Sequence, residues 1–113
     1  MITCRLEDPI GAVRERIASS PYPFALVKSD GGVLLGRLRA SMLDRDPEQR
    51  ADEVMEPGPK TFRPHRTPAR IAEELAERDL RWAIVTTPGG GLIGVAARSD
   101  LEAAAPPPAT AAG

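Results

Sequence analysis

The chain is poor in the residues that carry most protein chemistry. Its 113 residues include one cysteine, Cys4, and one histidine, His65. A lone cysteine excludes an intramolecular disulfide framework. Cys4 also has no histidine at a recognisable spacing, so it reads as an ordinary strand thiol and not a nucleophile. His65 has no second ligand at metal spacing, and no metal site is expected. Charge of one sign is lacking too. The net charge is −1, which gives no electrostatic case for nucleic acid or an anionic membrane. No apolar run approaches the ~20 residues that span a bilayer. The opening Met-Ile-Thr-Cys-Arg-Leu-Glu-Asp has no signal-peptide core, so a cytoplasmic protein is expected. Gly-x-Gly-x-x-Gly, Walker and Gly-x-Ser-x-Gly motifs are absent, and the chain is not expected to be an enzyme.

What the chain does contain is a repeat. Residues 3–43 return without a gap as residues 61–101, at a constant offset of 58, with 12 of 41 positions identical. The identities include Thr3/Thr61, Ala25/Ala83, Gly36/Gly94, Ser41/Ser99 and Leu43/Leu101. Others keep their character, such as Val13/Ile71, Ile17/Leu75, Phe24/Trp82 and Leu35/Ile93. A repeat of this length is one supersecondary unit that cannot bury its apolar face alone. With 42% apolar residues, two copies have enough to share a core. The expected organisation is a first repeat over 1–44, a linker and lead-in helix over 45–59, a second repeat over 60–104 and a disordered Ala/Pro tail over 105–113.

Each copy reads as strand–helix–strand–strand–helix. In the first, Thr3–Leu6 is extended, and Asp8-Pro9 predicts a helix start with Asp8 as N-cap. Ile10, Val13 and Ile17 form one apolar stripe. Phe24-Ala25-Leu26-Val27 is a continuous apolar run, as in a strand covered on both faces. Ser29-Asp30-Gly31-Gly32 is hairpin chemistry, Val33–Gly36 begins the partner strand, and Ser41-Met42-Leu43 suggests a short helix. In the second copy Thr67-Pro68 caps a helix whose stripe is Ile71, Ala72, Leu75, Ala76 and Leu80. Trp82–Val85 is the strand, Pro88–Gly91 the turn, Leu92–Val95 the returning strand, and Arg98–Leu101 opens the last helix. The Gly89-Gly90-Gly91 run lies between two strands, which makes it a turn and not a phosphate loop.

The linker carries a charge contrast. Asp44–Glu56 holds six acids and two bases, whereas Lys60–Arg70 holds four bases and no acid. Either the basic segment is a solvated edge or it faces anionic groups such as phosphates. Trp82, aligned with Phe24, is expected mainly in the core, with partial exposure to a ligand cleft as the alternative.

In this order and spacing the sequence resembles a tandem pair of cystathionine-β-synthase (CBS) domains, a Bateman module. The segments that carry the resemblance are Val54-Met55-Glu56-Pro57-Gly58-Pro59-Lys60-Thr61, Trp82-Ala83-Ile84-Val85, and Leu92-Ile93-Gly94-Val95 followed by Ser99-Asp100-Leu101. The resemblance implies an α/β (α+β) fold of two βαββα repeats packed sheet to sheet with pseudo-two-fold symmetry. It also implies a non-catalytic regulatory role, with an adenosine-containing ligand (AMP, ADP, ATP or S-adenosylmethionine) bound in a cleft between the repeats. The implied partners are a second copy, in a homodimer, and a regulated enzyme or transporter.

The family's Ser/Thr-x-x-Asp motif supplies a hydroxyl and a ribose-gripping carboxylate. Here it reads Ala97-Arg98-Ser99-Asp100 in the second repeat and Arg39-Ala40-Ser41-Met42 in the first. The carboxylate survives only in the second. The ligand-lining set implied is Asp100, Ser99, Ala97, Trp82, Ala83, Arg81, Thr61, Thr3 and Arg39, with Arg39 and Arg98 as substitutes for the lost hydroxyl. Asp100 reads equally as a first-turn acid favoured by the helix dipole, Thr3 and Thr61 as strand formers, and Arg81 as a solvated arginine.

Two other readings remain open. The pair is a degenerate scaffold that only dimerises, or the repeat is ferredoxin-like, with one four-stranded sheet. The second repeat is approached through Ala51-Asp52-Glu53-Val54-Met55, a short helix with no counterpart ahead of Thr3. The expectation is that the module is clipped there or that a partner chain supplies the missing cap.

Overall fold

The computed structural model describes residues 1–104, and the tail expected over 105–113 lies outside the described residues. The chain forms two compact units. One comprises Met1–Lys60 with Gly89–Leu92, the other Thr61–Pro88 with the described residues from Ile93 on. Secondary structure is mixed α+β with two sheets.

In the first unit β1 (Thr3–Cys4) runs parallel to β2 (Phe24–Lys28), which pairs antiparallel with β3 (Leu34–Arg39). Phe24 to Val27 are all buried, as a run covered on both faces requires. The turn is closed by Gly32, at φ 85°, whose N–H donates to the Ser29 carbonyl. Helix α1 (Ile10–Ala18) lays Ile10, Val13 and Ile17 into the core. The expected Ser41–Leu43 helix is one 3-10 turn, Ala40–Met42.

The Asp8 cap is corrected. Pro9 occupies the N-cap position with no side-chain cap, and the Asp8 carboxylate instead accepts from the Arg5 N–H at 2.9 Å. The helix start does not need the aspartate. Ile10 and Gly11 donate their free N–H groups to the Gln49 and Pro47 carbonyls, both at 2.9 Å, which satisfies the orphan donors of a helix N-terminus.

The linker contributes structure to this unit. Helix α2 (Ala51–Val54) and strand β4 (Glu56–Pro57) fold against β3, with Gly36 opposite Pro57 and Arg37 opposite Glu56. The sheet order is β1-β2-β3-β4. Eleven buried residues make one core, including Ile10, Val13, Val27, Leu38, Leu43, Ala51 and Val54.

The second unit repeats the plan with less material. The first strand shrinks to one parallel bridge, Phe62 to Val85. Helix α3 (Pro68–Glu77) starts as its sequence predicts, with Thr67 Oγ1 accepting from the Arg70 N–H at 3.3 Å and Pro68 in the first turn. Leu80 is not in the helix. Asp79 adopts φ 54° after the helix end, and Leu80 N–H reaches back to the Leu75 carbonyl. This left-handed stop folds Leu80 onto the core and keeps its apolar contact. Strands β5 (Trp82–Thr86) and β6 (Leu92–Ala97) form a two-stranded sheet, and α4 (Arg98–Ala104) follows directly and contacts α3. The buried cluster is Phe62, Ile71, Leu75 and Ala83, with Leu80 and Leu101 half-buried against it.

Candidate functional site

In the second unit, one end of the hairpin gathers most of the sequence-derived candidates. The Arg98 N–H donates to the Arg81 carbonyl at 2.8 Å. That bond joins the start of β5, where Arg81, Trp82 and Ala83 lie, to the β6–α4 junction of Ala97, Ser99 and Asp100. Thr61 sits one residue before the Phe62 bridge, on the β1-like edge of β5. Ala83 is fully buried. Trp82 is only half-buried, unlike its counterpart Phe24. Ser99 and Asp100 are exposed. Among the described residues no side-chain hydrogen bond or ion pair occupies the Asp100 carboxylate.

Arg98, expected as a phosphate contact in place of the lost hydroxyl, is already engaged. Arg98 Nη1 donates to the Leu80 carbonyl at 3.2 Å, and its Nε pairs with Glu102 at 3.5 Å. The basic segment turns inward in part. Arg63 donates to the buried Thr86 hydroxyl at 2.7 Å, and Arg66 pairs with Glu74 at 3.4 Å.

The first unit holds Thr3 and Arg39 at different places. Arg39 Nε pairs with Glu56 Oε1 at 2.6 Å, and Arg37 Nη2 donates to Glu56 Oε2 at 3.2 Å. Met42, where Asp100 stands in the other copy, offers only its sulfur, 3.5 Å from the Arg39 N–H. Burial raises the Glu56 pKa, but the Arg37 hydrogen bond and the charges of Arg37 and Arg39 outweigh it and hold the carboxyl below 4.5. Its contribution to stability is therefore complete at neutral pH and is lost as pH falls from about 4.5 through the lowered folded value. Urea melts should show wild type losing more stability than Glu56→Gln between pH 6 and pH 3; equal losses would remove Glu56 from the acid response.

Thr3 borders a different feature. Because β1 is parallel to β2, their C-terminal ends coincide and open a polar cleft of 520 Å³, lined by Thr3, Cys4, Arg5, Asp8, Lys28, Ser29 and Asp30. An Arg5–Asp30 ion pair of 3.6 Å lies there. The cleft lacks the apolar walls an adenine needs. Sequence reading missed it, since Ser29 and Asp30 register only as turn residues and the parallel pairing joins positions 23 residues apart. Cys4 is buried, and burial, reinforced by the Asp8 charge, pushes its thiol up to about 11, which agrees with an unreactive strand thiol. No group of three His, Cys, Asp or Glu side chains fit to hold a metal is found among the described residues, and no helix there is long and apolar enough to cross a membrane.

No protein-family model matches the sequence, and no curated protein matches it either. Solved structures do. The fold is similar to the cytosolic domain of the Mg2+ channel MgtE in complex with ATP, at 21% identity and TM-score 0.81, over 92% of this chain and 44% of that one. It is similar to the CBS domains of a transcriptional regulator from Streptococcus pneumoniae, at 17% identity and TM-score 0.80, over 90% and 86% of the two chains. It is also similar to CBSX2 in complex with AMP, at 18% identity and TM-score 0.80, over 92% and 85%. The chain thus spans under half of the MgtE domain and most of the other two. These likenesses establish the fold as that of a CBS domain pair, and with two sheets present the ferredoxin-like alternative falls.

Proposed function

We propose that the chain is a non-catalytic regulatory module that binds an adenosine-containing ligand, AMP, ADP, ATP or S-adenosylmethionine, through its second repeat. The observation that carries this reading is the Asp100 carboxylate, unengaged among the described residues and set beside Ser99 at the end of the unit where β5 begins. A carboxylate of this kind accepts from the two hydroxyls of a ribose. The half-exposed Trp82 supplies apolar surface of the sort an adenine packs on. Two structures of the same fold were solved with ATP and AMP, which supports the ligand class.

Calorimetric titration of the 113-residue chain with these four ligands tests the reading. Asp100→Ala is expected to weaken binding at least about tenfold while unfolding stability changes by no more than about 1 kcal/mol, the worth of a first-turn acid. Absence of binding by all four at millimolar concentration would refute it.

A scaffolding role is the second reading, and Met42 favours it: one of the two copies has no ribose acceptor at all. The repeats bounded by residues 1–44 and 60–104, homodimerisation, a cytoplasmic setting and a regulated enzyme or transporter complete the proposal. A scaffold would dimerise in light scattering with or without nucleotide. A monomer mass at high micromolar protein would remove the dimer from both readings.

A further inference from the structure

The polar cleft at the carboxyl ends of β1 and β2 has a counterpart in the repeat, and one exchange sets the two apart. The 58-residue offset carries Arg5, Asp8, Lys28 and Ser29 onto Arg63, Arg66, Thr86 and Thr87. In the second unit the cations are tied down. Arg63 Nη1 donates to the Thr86 hydroxyl at 2.7 Å, Thr86 is buried, and Arg66 pairs with Glu74. In the first unit a lysine stands where that hydroxyl would be. An ammonium offers a guanidinium no acceptor. Arg5 pairs instead with Asp30 at 3.6 Å, with side chains 66% and 87% exposed. An ion pair so open to water is screened and readily exchanged for another partner. The 520 Å³ cleft is thus lined by two residues, Arg5 and Lys28, that cannot bond each other as their counterparts do.

Charges of both signs stand ready in the cleft. Among the described residues Lys28 makes no side-chain hydrogen bond or ion pair. Asp8 accepts from the Arg5 N–H through Oδ2 and enters no ion pair there. Ser29 Oγ accepts from the Val33 N–H at 3.1 Å and keeps its own hydrogen to donate. We infer that the cleft binds a zwitterion, an α-amino acid with a small or polar side chain. Its carboxylate meets the Lys28 ammonium and the Ser29 hydroxyl, and its ammonium group meets Asp8. The lining argues against other small ligands. Arg5 and Lys28 are balanced by Asp8 and Asp30, so a free dianion such as phosphate is attracted by one pair and repelled by the other. A metal ion finds no group of three ligating side chains among the described residues. An adenine finds no apolar wall. A ligand of zero net charge with separated poles matches all four charges. The inference is independent of the Asp100 proposal, since it uses residues of the first unit alone.

The test is amide-resolved NMR of the 113-residue chain titrated with L-serine and L-glutamine. Each should shift the amides of residues 3–5, 8 and 28–30 along a saturable curve. Propionate and ethylamine, which carry one charge each, should bind at least about tenfold more weakly, and so should inorganic phosphate. Lys28→Thr installs the residue of the second unit. It should let Arg5 bond the new hydroxyl, close the cleft and weaken amino-acid binding at least about tenfold, with a melting temperature no lower than wild type. Asp8→Asn keeps an acceptor for the Arg5 N–H but loses the charge. It should weaken binding of both amino acids without weakening that of propionate. If neither amino acid moves these amides at millimolar concentration, the inference is overturned. Phosphate binding as tightly as the amino acids would also overturn it, by assigning the cleft to an anion, as would unchanged amino-acid binding by Lys28→Thr.

Discussion

Leu43→Ala should lower the stability of the chain by about 2–5 kcal/mol, the range for truncating a fully buried leucine, and Leu101→Ala should cost less than half of that. The two leucines are the same residue of the repeat. Leu43 is completely buried, in a core that includes Ile10, Val13, Leu38, Ala51 and Val54. Its truncation leaves a cavity ringed by an apolar wall, and the sum of lost transfer energy and unfilled volume is large. Leu101 is only half-buried against a cluster of four residues. Part of its side chain already meets solvent, and water can enter the space its loss would leave. For a chain of this size, each kcal/mol moves the melting temperature by roughly 4–8 °C. Leu43→Ala should therefore melt at least about 10 °C below wild type. Calorimetry on both variants checks this, and equal shifts would show that the two cores are equally closed.

That asymmetry was only half legible in the sequence. The repeat, its turns and its strands were readable because each rests on local chemistry: glycine at positive φ in the hairpin, an apolar run for a strand with both faces covered, Thr67-Pro68 for a helix start. Asp8-Pro9 has the same signature as Thr67-Pro68, yet Asp8 turns back to Arg5 because the loop at Pro47 and Gln49 already satisfies the helix. A distant backbone segment outcompeted a local cap. Strand β4 escaped because two residues, one of them proline, carry no periodicity. The candidate site divides likewise. Asp100 became a candidate through the family resemblance, but that Arg39 is tied to Glu56, and Arg98 to Glu102 and the Leu80 carbonyl, depends on partners that spacing does not reveal.

Gly36→Ala against Gly94→Ala gives the sharpest contrast between the copies. Within a strand, alanine is ordinarily favoured over glycine by about 0.5–1 kcal/mol, because glycine loses more backbone freedom on folding. At Gly94 the new methyl meets open space, and the substitution should be neutral or slightly stabilising. At Gly36 the same methyl would lie 2.5 Å from Met55 Sδ and 2.8 Å from the Glu56 carbonyl oxygen. The methionine can swing aside, but the carbonyl is backbone, so β4 itself must move. Moving it disturbs the Gly36–Pro57 and Arg37–Glu56 pairings and stretches the ion pairs from Arg37 and Arg39. Overpacking of this kind costs about 1–3 kcal/mol. The Arg37 side chain is only 15% exposed, so the loss is compounded by a guanidinium left near-buried without its anion. Urea titrations should place Gly36→Ala well below wild type at pH 7. The gap should narrow at pH 3, where protonated Glu56 no longer supplies the bond that the shift breaks. A gap that persists unchanged into acid would mean that the methyl acts by steric displacement alone and that β4 keeps its charges paired as it moves.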